Sequence, residues 1–372
     1  MAVYKLFPVK DTTLYSLYPN LNSGLDEIIE CSTRVNDEYD LTTQASRFLV
    51  AFSQTEIDDV LTNNVGASTW SSSLKVFLAD GEGFSNTVTL EFYPISASWN
   101  MGTGKFLDNP EITDGASWNY RTSYQDEIWR ISNFGQYVTA SFPPSSPGGG
   151  TWYTGSSISG LNVIQTQSFE FYSTGDIDVD VTDTVKAWAS GAFENNGFIV
   201  KQENEFVTSS NDANIIQYFA VDTNTIYPPQ LEIKWDDFSY NTGSLTVLNT
   251  AQCIVSVTNN AGEYFNNAVE RFRVNSRPEF PPRVFSTSSF YTDNYVLPES
   301  SYFAIKDLDT NEFVIDFDTQ FTKLSADSEG SYFDLYMNGL QPERYYKILI
   351  KTIISGSTLV LDDNNYFKVI NG

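Results

Sequence analysis

The sequence predicts an all-β protein, and three observations carry that expectation. Short runs of alternating apolar and polar residues recur along the chain, the period-two signature of half-buried strands. Between them lie turn clusters such as "NLNSG", "ADGEG" and "NPEITDG", with Gly, Asn and Asp where positive φ is needed. Hydrophobic residues make up 41% of the 372 positions and aromatics 15%, which excludes disorder and predicts an aromatic core. Regularly spaced short strands with such turns mean a sandwich or barrel.

Up to about residue 235 the strand candidates are "SRFLVAF" (46–52), "SLKVFLAD" (73–80), "VTLEFYPI" (88–95), "SFEFYS" (168–173), "GFIVKQ" (197–202) and "QLEIKW" (230–235). One stretch departs from the pattern. Residues 176–181, "DIDVDV", alternate as a strand does, but the next ten abandon that period. Thr182 or Asp183 can cap a helix, Val185 and Trp188 fall on one helical face, and Gly191 supplies a left-handed stop. "NNGFIV" then resumes extended chain. The run "FPPSSPGGG" (142–150) predicts a surface loop, since Pro cannot donate to a ladder and Gly has no side chain to pack. After "TIYPPQLEIKWDD" come further strand candidates: "SLTVLN", "CIVSVTN", "VERFRV", "SYFAIKD", "EFVIDFD", "SYFDLYM", "YYKILIKTII" and "YFKVI". "SRPEFPPR" (276–283) is proline-rich enough for a linker or an edge segment.

Composition narrows function. Asp and Glu number 47 against 21 Lys and Arg, a net charge of −26, and such a surface repels phosphate backbones and anionic lipid. Neither nucleic acid nor a membrane is expected as a partner. The chain contains no histidine, which removes the usual Ser-His-Asp and Cys-His arrangements and the usual zinc ligand sets. An enzyme here would have to work through carboxylates, Lys or Tyr. Cys31 and Cys253 are too few for a disulfide framework and read as two buried apolar thiols. "MAVYKLFPVKD" lacks a basic region followed by an apolar core, so no signal peptide is expected, and no apolar run is long enough to span a bilayer.

The motifs of the first 235 residues also occur together in a known order. "FPVKDTTLYSLYPNLNSGLDEIIE", "SRFLVAFSQTEI", "SLKVFLAD", "ASWNMGTG", "GASWNYR", "DVDVTDTVKAWASG", "NNGFIV" and "PPQLEIKW" follow one another as in the DNRLRE-type domain, which residues 1–235 resemble. That family is a jelly-roll module related to carbohydrate-binding modules of polysaccharide-degrading enzymes. The resemblance implies an N-terminal jelly-roll β-sandwich in which the "DVT..V..W..G" turn plugs one end, with Trp188 as core. Trp99 and Trp118 stand in two similar phrases, "SASWNMG" and "GASWNYR". Exposed, their rings could stack on sugars; the expectation is that both instead seal the other end of the sandwich. The same two phrases resemble a variant found in virion proteins of tailed bacteriophages.

The last third carries a second resemblance. Leu340, Pro342 and Tyr346 in "GLQPERYYKILIK" match the "L-x-P-x-x-x-Y" phrase of fibronectin type III domains, whose tyrosine hydroxyl bonds back across a strand corner. Arg344 stands where the family has Thr. The match implies an immunoglobulin/fibronectin-like β-sandwich over 278–372. Residues 236–277 are left as a small β unit, as connecting strands, or as extra strands of the same domain. The segment as a whole resembles C-terminal regions of phage tail and neck-associated proteins.

Three functions are weighed on this basis. The expected one is a structural component of a tailed-bacteriophage virion, in the tail, neck or a fibre attachment. It would be made in the host cytoplasm and would act through contacts with other virion proteins and with its own copies in a symmetric ring. The alternative is a carbohydrate-binding module that touches a host glycan. A carboxylate-based glycosidase or lyase is the third, but no acidic pair stands in a context tied to catalysis, and no catalytic residue is expected. Acidic strings such as "IDVDVTD", "LADGEG" and "VLDDNN" invite structural calcium, since hard cations take several oxygen ligands. None follows EF-hand spacing, so no cofactor is expected and calcium stays an alternative.

Overall fold

Strands dominate the molecule. The computed structural model describes residues 2–35, 43–82, 87–129, 148–154, 160–170, 172–205, 213–280 and 295–372. The first strands are β1 (Ala2–Leu6), β2 (Pro8–Tyr15), β3 (Ile28–Val35), β4 (Thr43–Phe52), β5 (Trp70–Val76) and β6 (Leu78–Glu82). There follow β7 (Val88–Pro94), β8 (Gln165–Phe169), β9 (Ile177–Asp180), β10 (Phe198–Gln202), β11 (Asn214–Phe219) and β12 (Gln230–Trp235). Two α-helices lie among them, α1 (Gln54–Val60) and α2 (Thr182–Ala189). The remainder holds β13 (Thr246–Val247), β14 (Cys253–Val257), β15 (Glu263–Phe265), β16 (Val269–Pro278), β17 (Tyr295–Val296) and β18 (Ser301–Asp307). The last are β19 (Phe313–Ile315), β20 (Ser325–Asp327), β21 (Gly330–Tyr336), β22 (Tyr345–Ile354), β23 (Ser357–Leu361) and β24 (Tyr366–Ile370).

The chain divides into two compact units. One comprises Leu6–Asn64 and Ser71–Glu232; the other comprises Met1–Lys5, Val65–Trp70 and Ile233–Gly372.

The first, N-terminal unit is built on an eight-stranded sheet of order β6-β11-β3-β4-β10-β7-β8, with β2 pairing on β4. Strands β12, β5 and β9 lie in a smaller sheet in that order. Alternation in sequence becomes alternation in burial: β7 is buried at every second residue, Val88, Leu90, Phe92 and Pro94, as "VTLEFYP" predicts. Helix α2 stands where the 176–200 pattern placed it, with Val185 and Trp188 buried together and the Trp188 ring 4.9 Å from that of Phe198. Its N-cap is Val181, without a side-chain cap bond. Thr182 and Asp183 are already inside the helix: the Thr182 hydroxyl accepts from the Ser72 amide at 2.8 Å, and Asp183 accepts from the Asn162 amide at 3.0 Å. Gly191 has φ +69 and donates to the Trp188 carbonyl, while Ala192 donates to that of Ala187, a left-handed C-terminal stop.

The second, C-terminal unit contains two six-stranded sheets. One has the order β13-β17-β16-β21-β20 with β14 also on β16; the other has β15-β24-β22-β18-β19 with β23 also on β22. Their inner faces share one core. Phe303 of β18 stacks on Phe333 of β21 at 4.2 Å, and Phe333 on Phe272 of β16 at 5.3 Å, a column of rings running from sheet to sheet. Strands from 236–277 thus lie in the same sheets as strands beyond 278. This is β-sandwich architecture.

The phrase "LQPERYY" closes one corner of that sandwich. Tyr346 is buried and its hydroxyl donates to the Gln341 carbonyl at 2.9 Å, with Leu340 buried beside it and Pro342 half-buried. Arg344 forms two hydrogen bonds to Asp307, of 2.6 and 2.8 Å. Burial pushes the Asp307 carboxyl up, but the Arg344 guanidinium and two backbone amides outweigh it and hold it below its ordinary range. Tyr346→Phe is expected to lose about 1 kcal/mol from this unit, the net value of one intramolecular hydrogen bond. Denaturant titration of the two proteins checks it; an unchanged midpoint would show that the corner contributes nothing.

Of the proline- and glycine-rich runs, 142–147 and 281–283 lie outside the described residues. The three glycines at 148–150, expected on a surface loop, are buried.

Candidate functional site

Four tryptophans, Trp99, Trp118, Trp129 and Trp152, pack in one cluster with Leu14, Leu49 and Ile199 in the N-terminal unit. Trp99 is 2% exposed and Trp118 5%, so both rings are core, as expected of them, and neither presents a face for the sugar stacking weighed as their alternative role. The Trp99 indole donates to the Asn196 carbonyl at 2.8 Å. Lys10 lies 4.3 Å above its ring and donates to its carbonyl, and burial lowers the Lys10 pKa.

A cation that the motif reading did not single out holds the cluster together. Arg47 of β4 lies 4.9 Å from the Trp118 ring and 5.0 Å from that of Trp152. Its Nε and Nη2 each donate to Glu205 at 2.7 Å, and Nη1 donates to the Gly149 carbonyl at 2.5 Å. This explains the buried glycines. Gly149 has φ +73, and a Cβ there would stand 2.6 Å from Arg47 Nη1 and 2.8 Å from the Trp118 ring. The signal available in sequence was an arginine set within the strongly apolar predicted strand "SRFLVAF".

A second cluster lies on another part of the same unit. The Phe106 ring sits between Tyr15 and Tyr18, at centroid distances of 4.7 and 5.5 Å, beside a cleft of about 80 Å³ that Glu30, Ser32, Arg34 and Ser46 also line. Glu30 is buried beneath. Its carboxylate accepts from Ser32 Oγ at 2.6 Å, Ser46 Oγ at 3.1 Å and Gln217 Nε2 at 3.3 Å, with Arg34 at 3.4 Å. Four side chains thus hold the Glu30 carboxylate in place. The cleft is lined by ring faces and by the half-exposed Arg34. Asp26 anchors the canopy by accepting from the Phe106 amide. A larger recess of about 480 Å³ is polar, with Ser96, Ser98, Asp126 and Thr151 on its walls. Arg121 spans it, paired with Glu127 at 2.5 Å and donating to the Ser98 carbonyl at 2.7 Å.

Two carboxyls of this unit titrate near neutrality. Burial pushes Asp11 up to about 7, against the lowering effect of the Val221 amide, and it leaves Oδ1 without a partner. Burial also pushes Asp26 up to about 6. Both shifts are upward from 3.8, so between that value and the folded one the native state binds more protons than the unfolded chain. The stability these groups contribute is therefore fully present below about 4 and is lost as pH rises through 6 to 7. The melting temperature of the N-terminal unit is expected to fall over that window, and Asp11→Asn to flatten the fall. A parent profile flat from pH 4.5 to 8 would contradict the assignment.

No group of three or more His, Cys, Asp or Glu side chains among the described residues is placed to hold a metal ion. Cys31 is fully buried and its thiol is pushed up by burial, whereas Cys253, expected to be buried as well, is partly exposed at the start of β14. No helix among the described residues is long and apolar enough to cross a membrane.

No family model and no curated protein matches the sequence. Among solved structures, the chain aligns with one described as "Cell entry of botulinum neurotoxin type C is dependent upon interaction with two ganglioside molecules", at 10% identity over 92% of this chain and 71% of that one. The TM-score is 0.15. The fold defines an all-β protein of β-sandwich character.

Proposed function

We propose that the chain is a non-catalytic structural component of a larger assembly, specifically a tailed-bacteriophage virion protein of the tail, neck or fibre attachment, where it contacts other virion proteins and its own copies. The single observation that supports this reading is how the apolar surface is spent. The buried carboxylates Glu30 and Glu205 are engaged by internal donors, while Phe265, Tyr345, Val360 and Tyr366 stand roughly half-exposed on the strands of one sheet. Large side chains displayed on a sheet suit contact with another protein. The phage assignment itself rests on the resemblance of the two sequence segments. Quantitative mass spectrometry of gradient-purified particles tests it: the chain should appear in a copy number set by ring symmetry. Its absence from particles, with turnover of a glycan in the soluble fraction, would sink the reading.

A second reading, glycan recognition, is favoured by the Tyr15–Phe106–Tyr18 canopy over Arg34 and Glu30. It moves the sugar platform away from Trp99 and Trp118. Tryptophan substitutions then have no bearing on it, and loss of retention on a glycan array by Phe106→Ala, with folding intact, is the outcome that would support it.

A further inference from the structure

Four of the chain's twelve lysines lie on the outer face of one C-terminal sheet. In β22 the residues Tyr346, Ile348 and Ile350 enter the core, so Tyr345, Lys347 and Lys351 point away from it. In β24 Phe367 and Val369 are core, leaving Tyr366 and Lys368 outward; in β18 Phe303 and Ile305 are core, leaving Lys306 outward. Register turns this into a checkerboard. Tyr345 lies opposite Lys368, Lys347 opposite Tyr366, and Lys306 opposite Lys347. On the next strand Glu263 faces Lys368, and Phe265 faces Ile370. Tyr345, Tyr366 and Phe265 are 46%, 55% and 52% exposed.

The bland account of such lysines is that they keep a sheet soluble. It fits Lys347 and Lys368, which pair with Asp362 and Glu343. Lys306 and Lys351 rest over rings, Lys306 at 5.2 Å from Phe313 and Lys351 at 5.3 Å from Tyr302 and 5.0 Å from Phe317, and Lys306 also lies close enough to Asp362 to help hold its carboxyl low. The rest of the chain supplies their complement. The unit of Leu6–Asn64 and Ser71–Glu232 has 29 Asp and Glu against 9 Lys and Arg, a net charge of −20, whereas the other unit has 18 against 12, or −6. The face carries Glu263, Glu343 and Asp362 as well as its four lysines, so against a second copy of itself it offers no consistent pairing of opposite charges. Setting it on the acidic unit of another copy pairs opposite charges around a centre of tyrosine and phenylalanine.

We propose that the outer face of β15, β24 and β22 docks head to tail onto the acidic unit of a second copy of this chain. The inference rests on the assembly reading above and names its partner. A contact of this heterologous kind repeats, and closes into a ring if the rotation allows.

Zero-length carbodiimide coupling of the full chain, using a mixture of isotopically light and heavy copies, tests the pairing directly. Links between copies are expected from Lys306, Lys347, Lys351 or Lys368 to Asp and Glu of the acidic unit. Sedimentation should show concentration-dependent association that weakens by roughly tenfold or more between about 50 mM and 500 mM salt. Tyr345→Ser with Tyr366→Ser should weaken it by at least about tenfold, since central aromatic anchors dominate interfaces, with only the small drop in unfolding midpoint that losing their mutual edge contact at 6.4 Å brings. A monomer at every concentration at low salt would overturn the proposal. So would an oligomer whose links bypass these lysines or which the double substitution leaves intact. Association through this face by a chain absent from particles would instead overturn the virion reading alone.

Discussion

Arg47→Met is expected to cost the N-terminal unit about 3–5 kcal/mol, the loss seen when one partner of a buried ion pair is removed. The Arg47 side chain is 2% exposed and that of Glu205 6%, so water cannot take the place of the guanidinium. The substitution strands a buried carboxylate, leaves the Gly149 carbonyl without its 2.5 Å donor, and takes the planar cation from between the Trp118 and Trp152 rings. Methionine fills most of the volume, which separates the charge effect from a cavity. Arg47→Met combined with Glu205→Leu removes both charges and should recover much of the loss, because an apolar pair of similar volume is often neutral beside a buried salt bridge. Denaturant unfolding of the parent, the two single variants and the double variant closes the cycle. Equal destabilisation by the double variant and by Arg47→Met would mean that packing, not the pair, holds this end together.

That pair also marks where reading the sequence stopped. Helix α2 was legible because capping candidates, a tryptophan on the apolar stripe and a glycine stop are all local signals within ten residues. Local reading erred only in detail: Thr182 and Asp183 both lie inside the helix, since their side chains found Ser72 and Asn162, partners far away in sequence. Tyr346 was legible for the same reason, its acceptor being Gln341, five residues back. Arg47 finds Glu205 across 158 positions, and nothing in either neighbourhood announces the other.

The glycines tell the same story. Asn22 is buried and donates to the carbonyls of Met101 at 2.7 Å and Ala116 at 2.9 Å, while its Oδ1 accepts from the amides of Gly24 and Gly104. A Cβ at Gly102 would meet its side chain at 2.3 Å. The phrases "SWNMGTG" and "DGASW" thus keep glycine so that backbone can close on an asparagine from "NLNSG", and the tryptophans between them turn inward with it. Sequence alone showed that these phrases were tight, but not what they were tight around. The aromatic canopy was missed similarly: Tyr15, Tyr18 and Phe106 come from segments about ninety positions apart, and only Asp26 and the fold of the chain bring them over Glu30.

Trp188→Ala is expected to destabilise the N-terminal unit by about 3–5 kcal/mol, as truncation of a buried aromatic does. The ring is 3% exposed, lies against Phe198 and shares its helix face with the fully buried Val185. Its Nε1 is buried without a hydrogen-bond partner, so the loss is one of packing rather than of a bond. Trp188→Phe should therefore lose only part of that stability, since it keeps a ring against Phe198 and relieves an unpaired donor. In a unit of this size each kcal/mol moves the melting temperature by about 2–4 °C. The alanine variant should melt roughly 10 °C lower in the full chain, with the C-terminal transition unmoved. A shift under about 2 °C would show that α2 does not plug the sandwich, and a phenylalanine variant as damaged as the alanine one would show that the indole nitrogen has a partner after all.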